Sequence, residues 1–450
     1  MYNFKDKKVL IIGLARSGIA SLDALLQKGA IVSVQDSKTI DKLENTLVDK
    51  LVKNNVGLFL GVTPENEKFD YVVISPGVDP ELPFVENLRN NGAEVIGELE
   101  LAFRLCESNF VGITGTNGKT TTTSLVGEIF AASGRKSHVV GNIGLPVVTY
   151  AKDAGNDEYF VTEVSSFQLQ TTESFRPHVA AILNITPDHL NRHHTFENYA
   201  LTKAGISKKQ DENDYLVLNY DDEYCFSMKQ HSKAKIVPFS RKTVLDFGAF
   251  LDGNDLIIKD NGMTVKLVSR DEINLVGDHN TENCLAAAAI CYFSGIDTDV
   301  IRSVLKTFTA VEHRMEYVRT IDDVKYYNDS KGTNVDATVI ALRAIKKNII
   351  LIAGGDAKSQ DFTDLASELK GKVKHITFFG RDRQMIIDAC RKVGFDSYSE
   401  HETLEECVKY AKEIAENGDT VLLSPACASW DMYPNFEVRG EEFKKIVNNL

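Results

Sequence analysis

Gly112-Ile113-Thr114-Gly115-Thr116-Asn117-Gly118-Lys119-Thr120 is the stretch that decides the fold. An apolar run, Phe110–Ile113, leads into a glycine-rich turn, and the threonine-rich Thr120–Ser124 that follows reads as a helix start. Backbone N–H groups at such a turn point outward at the positive end of a helix and can cradle phosphates. Lys119 is placed to reach the terminal phosphates of ATP, and the Thr120 hydroxyl to hold Mg²⁺. The strict form of this motif has glycine five residues before Gly118, where this chain has Ile113.

Outward from that loop the chain repeats a strand–loop–helix rhythm in three blocks, so the expected fold is α/β with three domains. Residues 1–98 predict a Rossmann-like domain. The strand Lys8–Ile12 ends in Gly13-Leu14-Ala15-Arg16-Ser17-Gly18, Ile31–Val34 runs to Asp36, and Tyr71–Ile74 runs to Ser75-Pro76-Gly77. Residues 99–310 predict a P-loop ATPase-like central domain with a parallel sheet, a small β part over about 215–275, and an alanine-rich helix after Asn283. Residues 311–450 predict a second Rossmann-like domain with strands at Val324–Tyr327, Ile349–Ala353, Ile376–Phe379 and Val421–Leu423.

Composition narrows the class. The chain has 450 residues, 43% hydrophobic and 26% charged, as in globular proteins. Its formal net charge of −13 disfavours nucleic acid as a partner. No run of about 18 apolar residues occurs, so no membrane span is expected. The opening MYNFKDKKVLIIG has no long apolar segment, so no signal peptide is expected. Seven cysteines without a Cys-x-x-Cys pair suit a reducing cytoplasm.

Several loop residues admit two readings. Glu163, at a strand end, is either a Mg²⁺ ligand or a cap for the Ser165-Ser166 turn. His189 sits in Asp188-His189-Leu190-Asn191-Arg192-His193-His194, either near a metal or as an ordinary loop histidine. Lys203, in a helix expected after Thr195, reads on its own as a solvated lysine. Gly13-x-Ala15-x-x-Gly18 followed by Asp36 resembles a dinucleotide fingerprint without its middle glycine, so it is either a pyrophosphate site or a bare turn. In the third block, Asn328–Asn334, Gly354–Lys358 and Ser424–Asp431 gather lysines and hydroxyls at one sheet edge, which suits a carboxylate-bearing substrate.

The form Gly-x-x-Gly-Thr-Asn-Gly-Lys-Thr resembles the nucleotide loop of the Mur ligases and the related folylpolyglutamate synthases, and accounts for Ile113. Glu163–Leu169, Asn184–His189, His279-Asn280 with Asn283, His313-Arg314 and Asp329-Ser330-Lys331 extend the resemblance in order over the whole chain. Gly141–Gly144, Gly354-Gly355-Asp356-x-Lys358-Ser359 and Leu423 through Ser429 to Glu437 resemble the D-glutamate-adding branch. The Asp-Asn-Pro-Arg signature of the diaminopimelate- or lysine-adding branch is not seen.

The resemblance implies roles. Asp36, Ser37, Arg16, Ser75 and Gly77 would hold the UDP portion of UDP-N-acetylmuramoyl-L-alanine and Asn142 its muramoyl part, with His189 also binding this substrate. Gly115, Thr116, Asn117, Gly118, Lys119 and Thr120 would hold the ATP phosphates, and Asn283, Arg314 and Asp329 the rest of the nucleotide. Thr120 and Glu163 would bind one Mg²⁺, and His189 and a carbamylated Lys203 a second. Lys119, Glu163, His189 and Lys203 form the implied catalytic set, and Thr333, Lys358, Ser429 and Phe436 would surround D-glutamate. A cytoplasmic monomer is expected, with the third block closing on the second during turnover. A folylpolyglutamate synthase is disfavoured by the whole block that precedes Gly112, and a nicotinamide dehydrogenase would leave the Lys119 loop without purpose.

Overall fold

A computed structural model describes residues 2–64, 67–309, 311–358 and 360–450. Ala310, at the expected end of the central domain, and Ser359 of the third-block motif lie outside the described residues. The described strands form three sheets. The first holds β1 (Lys8–Ile12), β2 (Ile31–Asp36), β3 (Gly57–Leu60), β4 (Tyr71–Ile74) and β5 (Glu94–Gly97) in the order β3-β2-β1-β4-β5, all parallel. Its strands are short runs of branched residues, buried in the centre, as a sheet covered on both faces requires.

The second sheet holds β6 (Asn109–Thr114), β7 (Ser137–Gly141), β8 (Tyr159–Glu163), β9 (Val179–Ile182), β10 (Tyr215–Asn219), β11 (Lys235–Ser240), β12 (Gly248–Asp252), β13 (Asp255–Asp260) and β14 (Met263–Ser269). Their order is β14-β13-β12-β11-β10-β9-β6-β8-β7. The small β part expected beside the parallel sheet is its continuation: β12 pairs parallel with β11, and β13 and β14 then add antiparallel. The third sheet holds β15 (Glu316–Ile321), β16 (Val324–Asn328), β17 (Ile349–Gly354), β18 (Val373–Phe379), β19 (Tyr398–Glu400) and β20 (Thr420–Leu423) in the order β15-β16-β20-β17-β18-β19. Only the edge strand β15 in it is antiparallel. The alanine-rich helix begins at Asp278 rather than after Asn283.

Residues through Glu272 together with Glu282–Lys306 make one compact unit, which carries the first two sheets. Ile273–Thr281 with Thr307–Leu450 make the other, which carries the third sheet. Among the described residues no helix is long and apolar enough to cross a membrane.

Helix Glu98–Leu105 joins the first sheet to the second, and its apolar side, Leu99, Leu101 and Ala102, is buried in a core that both sheets share. Its polar side is buried as well. Glu100 accepts backbone N–H groups from Glu173, Ser174 and Phe175 and an N–H from Arg104 Nε at 2.7 Å, enough partners to keep it ionised out of water. Glu98 has fewer. One oxygen accepts the Val148 N–H at 2.7 Å, the other lies buried without a hydrogen bond, and burial pushes the carboxyl up to about 7.

A carboxyl raised in the folded chain stays protonated where the unfolded chain has already ionised, so folding loses stability as pH rises from about 4.5 to about 7. Glu98→Gln should flatten that slope and stabilise the chain above pH 7 by on the order of 3 kcal/mol. Urea unfolding across that range checks this, and parallel slopes in variant and wild type would contradict it.

Candidate functional site

β6 lies at the point in the second sheet where the strand order changes direction, with β8 on one side and β9 on the other. The loops that leave these three carboxyl ends therefore share one crevice. Ile113, the departure from the strict motif, is fully buried within β6 and pairs with Glu163, so the loop proper begins at Gly115. Gly118 takes φ +82° and caps helix Lys119–Ala132. A Cβ at Gly118 would overlap Asn283 Oδ1, so both backbone and neighbour require glycine.

The loop is braced from behind by the β9 segment. Thr116 N donates to Asn184 O at 3.0 Å and Asn117 N to Asn184 Oδ1 at 2.8 Å, while Asn184 Nδ2 returns a bond to Asn117 O at 3.1 Å. The Thr116 hydroxyl lies 3.1 Å from Tyr199 OH and accepts the Thr186 N–H at 3.0 Å. Asn184 and Tyr199 received no role from the sequence; a side chain that braces a distant loop has no local pattern. Lys119 Nζ lies over the loop and donates to Gly115 O and Thr116 O at 2.8 Å each, and Thr120 is buried.

Glu163 ends β8 beside this loop, buried, with one oxygen accepting from Asn142 Nδ2 at 2.7 Å. The next turn carries its own cap, since Ser165 and Gln168 form a reciprocal capping box. The three histidines separate by environment. His193 is buried on Ser166 Oγ at 3.0 Å, and burial first, then the neighbouring His189, lowers it to about 4. His194 is exposed, 3.3 Å from Glu81. His189 takes φ +53°, caps the short helix Leu190–His193, and sets its ring tilted against Phe167, with centroids 4.8 Å apart.

The reading of Lys203 as a solvated helix lysine is overturned. Its side chain is 2% exposed, and Nζ donates to Gly115 O at 2.8 Å. Burial and then the charge of Lys119 hold its pKa well below the ordinary lysine value. Thr195 caps helix Phe196–Ala204, whose Tyr199, Ala200, Lys203 and Ala204 face inward, and that register turns the lysine toward the phosphate loop.

At the first sheet the loops after β1, β2 and β4 meet. Asp36 Oδ2 accepts the Leu14 N–H at 2.7 Å and Oδ1 the Lys38 N–H at 2.9 Å, while Ser75 Oγ donates to Gly13 O at 3.0 Å. Arg16 opens the first helix at this edge, with Ala15 as its cap in place of the missing glycine, and Ser37 and Gly77 lie exposed.

At the third sheet, β16, β20 and β17 are neighbours, so the loops expected to gather there do. Asp329 is buried, accepts from Ser424 Oγ at 2.7 Å, and is raised by burial to about 6. Half-buried Arg314 lies on the same side, its positive charge countering that rise. Lys358, at φ +47°, sets its ammonium 4.2 Å over the Trp430 ring. Ser429 is buried, Thr333 is half-buried ahead of the helix cap Asn334, and Phe436 opens helix Phe436–Asn448. Arg439, fully buried, was absent from the expectations: it donates to Ser330 O at 2.8 Å and Cys427 O at 3.2 Å, tying two of these loops together.

Three family profiles match the chain: "Mur ligase MurD-like, N-terminal domain" over residues 7–97, "Mur ligase middle domain" over 113–291, and "Mur ligase, glutamate ligase domain" over 313–427. A UDP-N-acetylmuramoylalanine–D-glutamate ligase of Clostridioides difficile (strain 630) is 49% identical, with all of both chains covered. One from Alkaliphilus oremlandii (strain OhILAs) is 48% identical over 100% of this chain and 99% of its own. Among solved structures, UDP-N-acetylmuramate–alanine ligase MurC of Thermotoga maritima superposes with a TM-score of 0.62 at 18% identity, covering 98% of this chain and 99% of its own. MurF of Thermotoga maritima in complex with ADP gives 0.60 at 16% identity, over 99% and 96%.

Gly118→Ala forces a side chain into left-handed backbone and onto Asn283. It should raise the Kd for ATP about tenfold or more while the fold persists by circular dichroism. An unchanged Kd would remove this loop from the nucleotide site.

Proposed function

The chain belongs to the Mur ligase family, and from that premise we propose that it joins D-glutamate to UDP-N-acetylmuramoyl-L-alanine at the expense of ATP. The observation that carries this reading is the convergence on Gly115. The phosphate loop, the buried carboxylate of Glu163 and the buried amine of Lys203 meet at adjacent strand ends, in a chain 49% identical over its whole length to a ligase of that name. The reaction is a step of peptidoglycan precursor synthesis that draws on ATP and a UDP-sugar. We assign it to a cytoplasmic monomer, with the UDP-sugar on residues 1–98, ATP on 99–310 and the amino acid on 311–450.

The donor set suits a hard cation: a hydroxyl on Thr120, a carboxylate on Glu163, an imidazole on His189 and an amine on Lys203 whose low pKa leaves it free to take up CO₂. Carbamylation turns that amine into an oxygen donor. Two Mg²⁺ ions, one on Thr120 and Glu163 and one on His189 and carbamylated Lys203, would offset charge on the phosphates. Asn142 orients Glu163 through the bond at 2.7 Å, and we assign it to the muramoyl group as well. The N–H groups of Gly115–Gly118 hold the β- and γ-phosphates, and Lys119 leaves its own loop carbonyls to neutralise the γ-phosphate.

The L-alanyl carboxylate attacks the γ-phosphorus, the bond to ADP breaks, and an acylphosphate forms. The D-glutamate amine then attacks the acyl carbon, and phosphate leaves as the amide forms. Arg16, Asp36, Ser37, Ser75 and Gly77 take the UDP end, and Asn283, Arg314 and Asp329 the remainder of the nucleotide. Thr333, Lys358, Ser429 and Phe436 take D-glutamate, with the Lys358 ammonium opposite a carboxylate.

Phosphate release from ATP and Mg²⁺ with the UDP-substrate should require D-glutamate and fail with L-glutamate, L-lysine or no amino acid. Release driven by L-lysine would reassign the third sheet's site, and no release with any amino acid would refute the ligase. Lys119→Ala should lower kcat about 100-fold or more with the fold intact. Lys203→Ala should lose activity comparably, and ¹³C-bicarbonate should give a carbamate carbonyl resonance in the wild type that this variant lacks. A resonance present in both would place the carbamate elsewhere.

A further inference from the structure

Arg192 lies in the histidine-rich stretch and takes no part in the chemistry above. Its side chain is only 13% exposed, and its guanidinium makes two directed bonds to different parts of the same unit. Nη2 donates to Val78 O at 2.7 Å, in the loop that leaves β4. Nε donates to Gln170 Oε1 at 3.1 Å, on the segment that leaves β8. The plane also lies 5.2 Å from the centre of the Phe167 ring, and Phe167 in turn contacts His189 at 4.8 Å and stacks on His193 at 5.7 Å. Arg192 N donates to His189 O at 2.9 Å, so the arginine and the histidine share one turn.

The Val78 loop is the continuation of Ser75-Pro76-Gly77: Val78 N donates to Ser75 O at 2.9 Å, and Ser75 Oγ in turn holds Gly13 O. One planar, permanently charged group thus ties the loop assigned to the UDP end to the turn that presents His189. We propose that Arg192 is a positioning residue that sets His189 relative to the UDP-sugar, so that seating of the uridine end fixes the reacting end. The inference rests on the ligase reaction proposed above. Two acceptors from different strand ends and an aromatic face demand the flat fork of arginine; lysine, with a point charge, satisfies one acceptor at a time.

The test is steady-state kinetics of Arg192→Ala and Arg192→Lys beside the wild type, with melting temperatures recorded. Arg192→Ala should raise KM for UDP-N-acetylmuramoyl-L-alanine about tenfold and lower kcat about tenfold, leaving KM for ATP within about twofold. Arg192→Lys should fall between. Millimolar guanidinium, but not ammonium, should restore part of the Arg192→Ala activity, which a merely structural loss would not show. Wild-type KM and kcat in both variants would overturn the inference, as would a loss that tracks melting temperature and ignores guanidinium. If the wild type itself releases no phosphate with the UDP-sugar and D-glutamate, the ligase reading fails and this inference with it; an active wild type with an indifferent Arg192→Ala sinks this inference alone.

Discussion

The hydrogen bond from Lys203 Nζ to Gly115 O is the constraint on which the rest of the site depends. It places the amine of one helix, out of water, against the first residue of the phosphate loop, while Tyr199 one turn earlier holds Thr116 of the same loop. Helix Phe196–Ala204 and the loop after β6 are therefore one hydrogen-bonded body. Burying an amine so completely is costly unless its charge is lost or matched, and here the charge is disfavoured by burial and by Lys119 together. A surface lysine has no such chemistry. A buried amine with a depressed pKa can act as a nucleophile toward CO₂, and this is why the reaction we assign depends on the packing of a helix rather than on a motif.

The three sheets solve the same problem in the same way. In each, neighbouring parallel strands deliver their loops to one edge: after β1, β2 and β4 in the first, β6, β8 and β9 in the second, and β16, β17 and β20 in the third. Polar side chains on or beside these loops bond to neighbouring backbone, as Asp36 does to Leu14, Asn184 to Asn117 and, from helix Phe436–Asn448, Arg439 to Ser330. Loops cross-linked in this way have less conformational freedom to lose, which reduces the ordering cost of binding.

Much of this was readable from the sequence because it is local. The strands Lys8–Ile12 and Tyr71–Ile74 agree to the residue with their apolar runs, and the loops at their ends were identified with them. The phosphate loop was read from nine consecutive residues. Features that depend on distant partners were not readable. Lys203 has the spacing of any helical lysine, and only the inward face of its helix reveals burial. Arg439 and Glu98 look like surface charges on amphipathic helices, yet one is fully buried and the other nearly so. The edge strand β15, with no buried residue, lies outside the apolar runs of the third block, and the small β part read over about 215–275 covers β10 to β14 of the second sheet itself, because turn chemistry does not say which strand a hairpin joins. For Glu163 the sequence admits a Mg²⁺ ligand or a cap, and the Ser165–Gln168 box shows only that the following turn carries a cap of its own.

The account turns on phosphoryl transfer to the substrate carboxylate, and isotope transfer reads that step directly. UDP-N-acetylmuramoyl-L-alanine labelled with ¹⁸O in its alanyl carboxylate would be turned over with ATP, Mg²⁺ and D-glutamate, and the released phosphate analysed by mass spectrometry. An acylphosphate requires one carboxylate oxygen to leave with the phosphorus, so phosphate should carry one ¹⁸O for each amide formed. Amide formation with unlabelled phosphate would contradict activation at the carboxylate and, with it, the role assigned to the loop around Gly115.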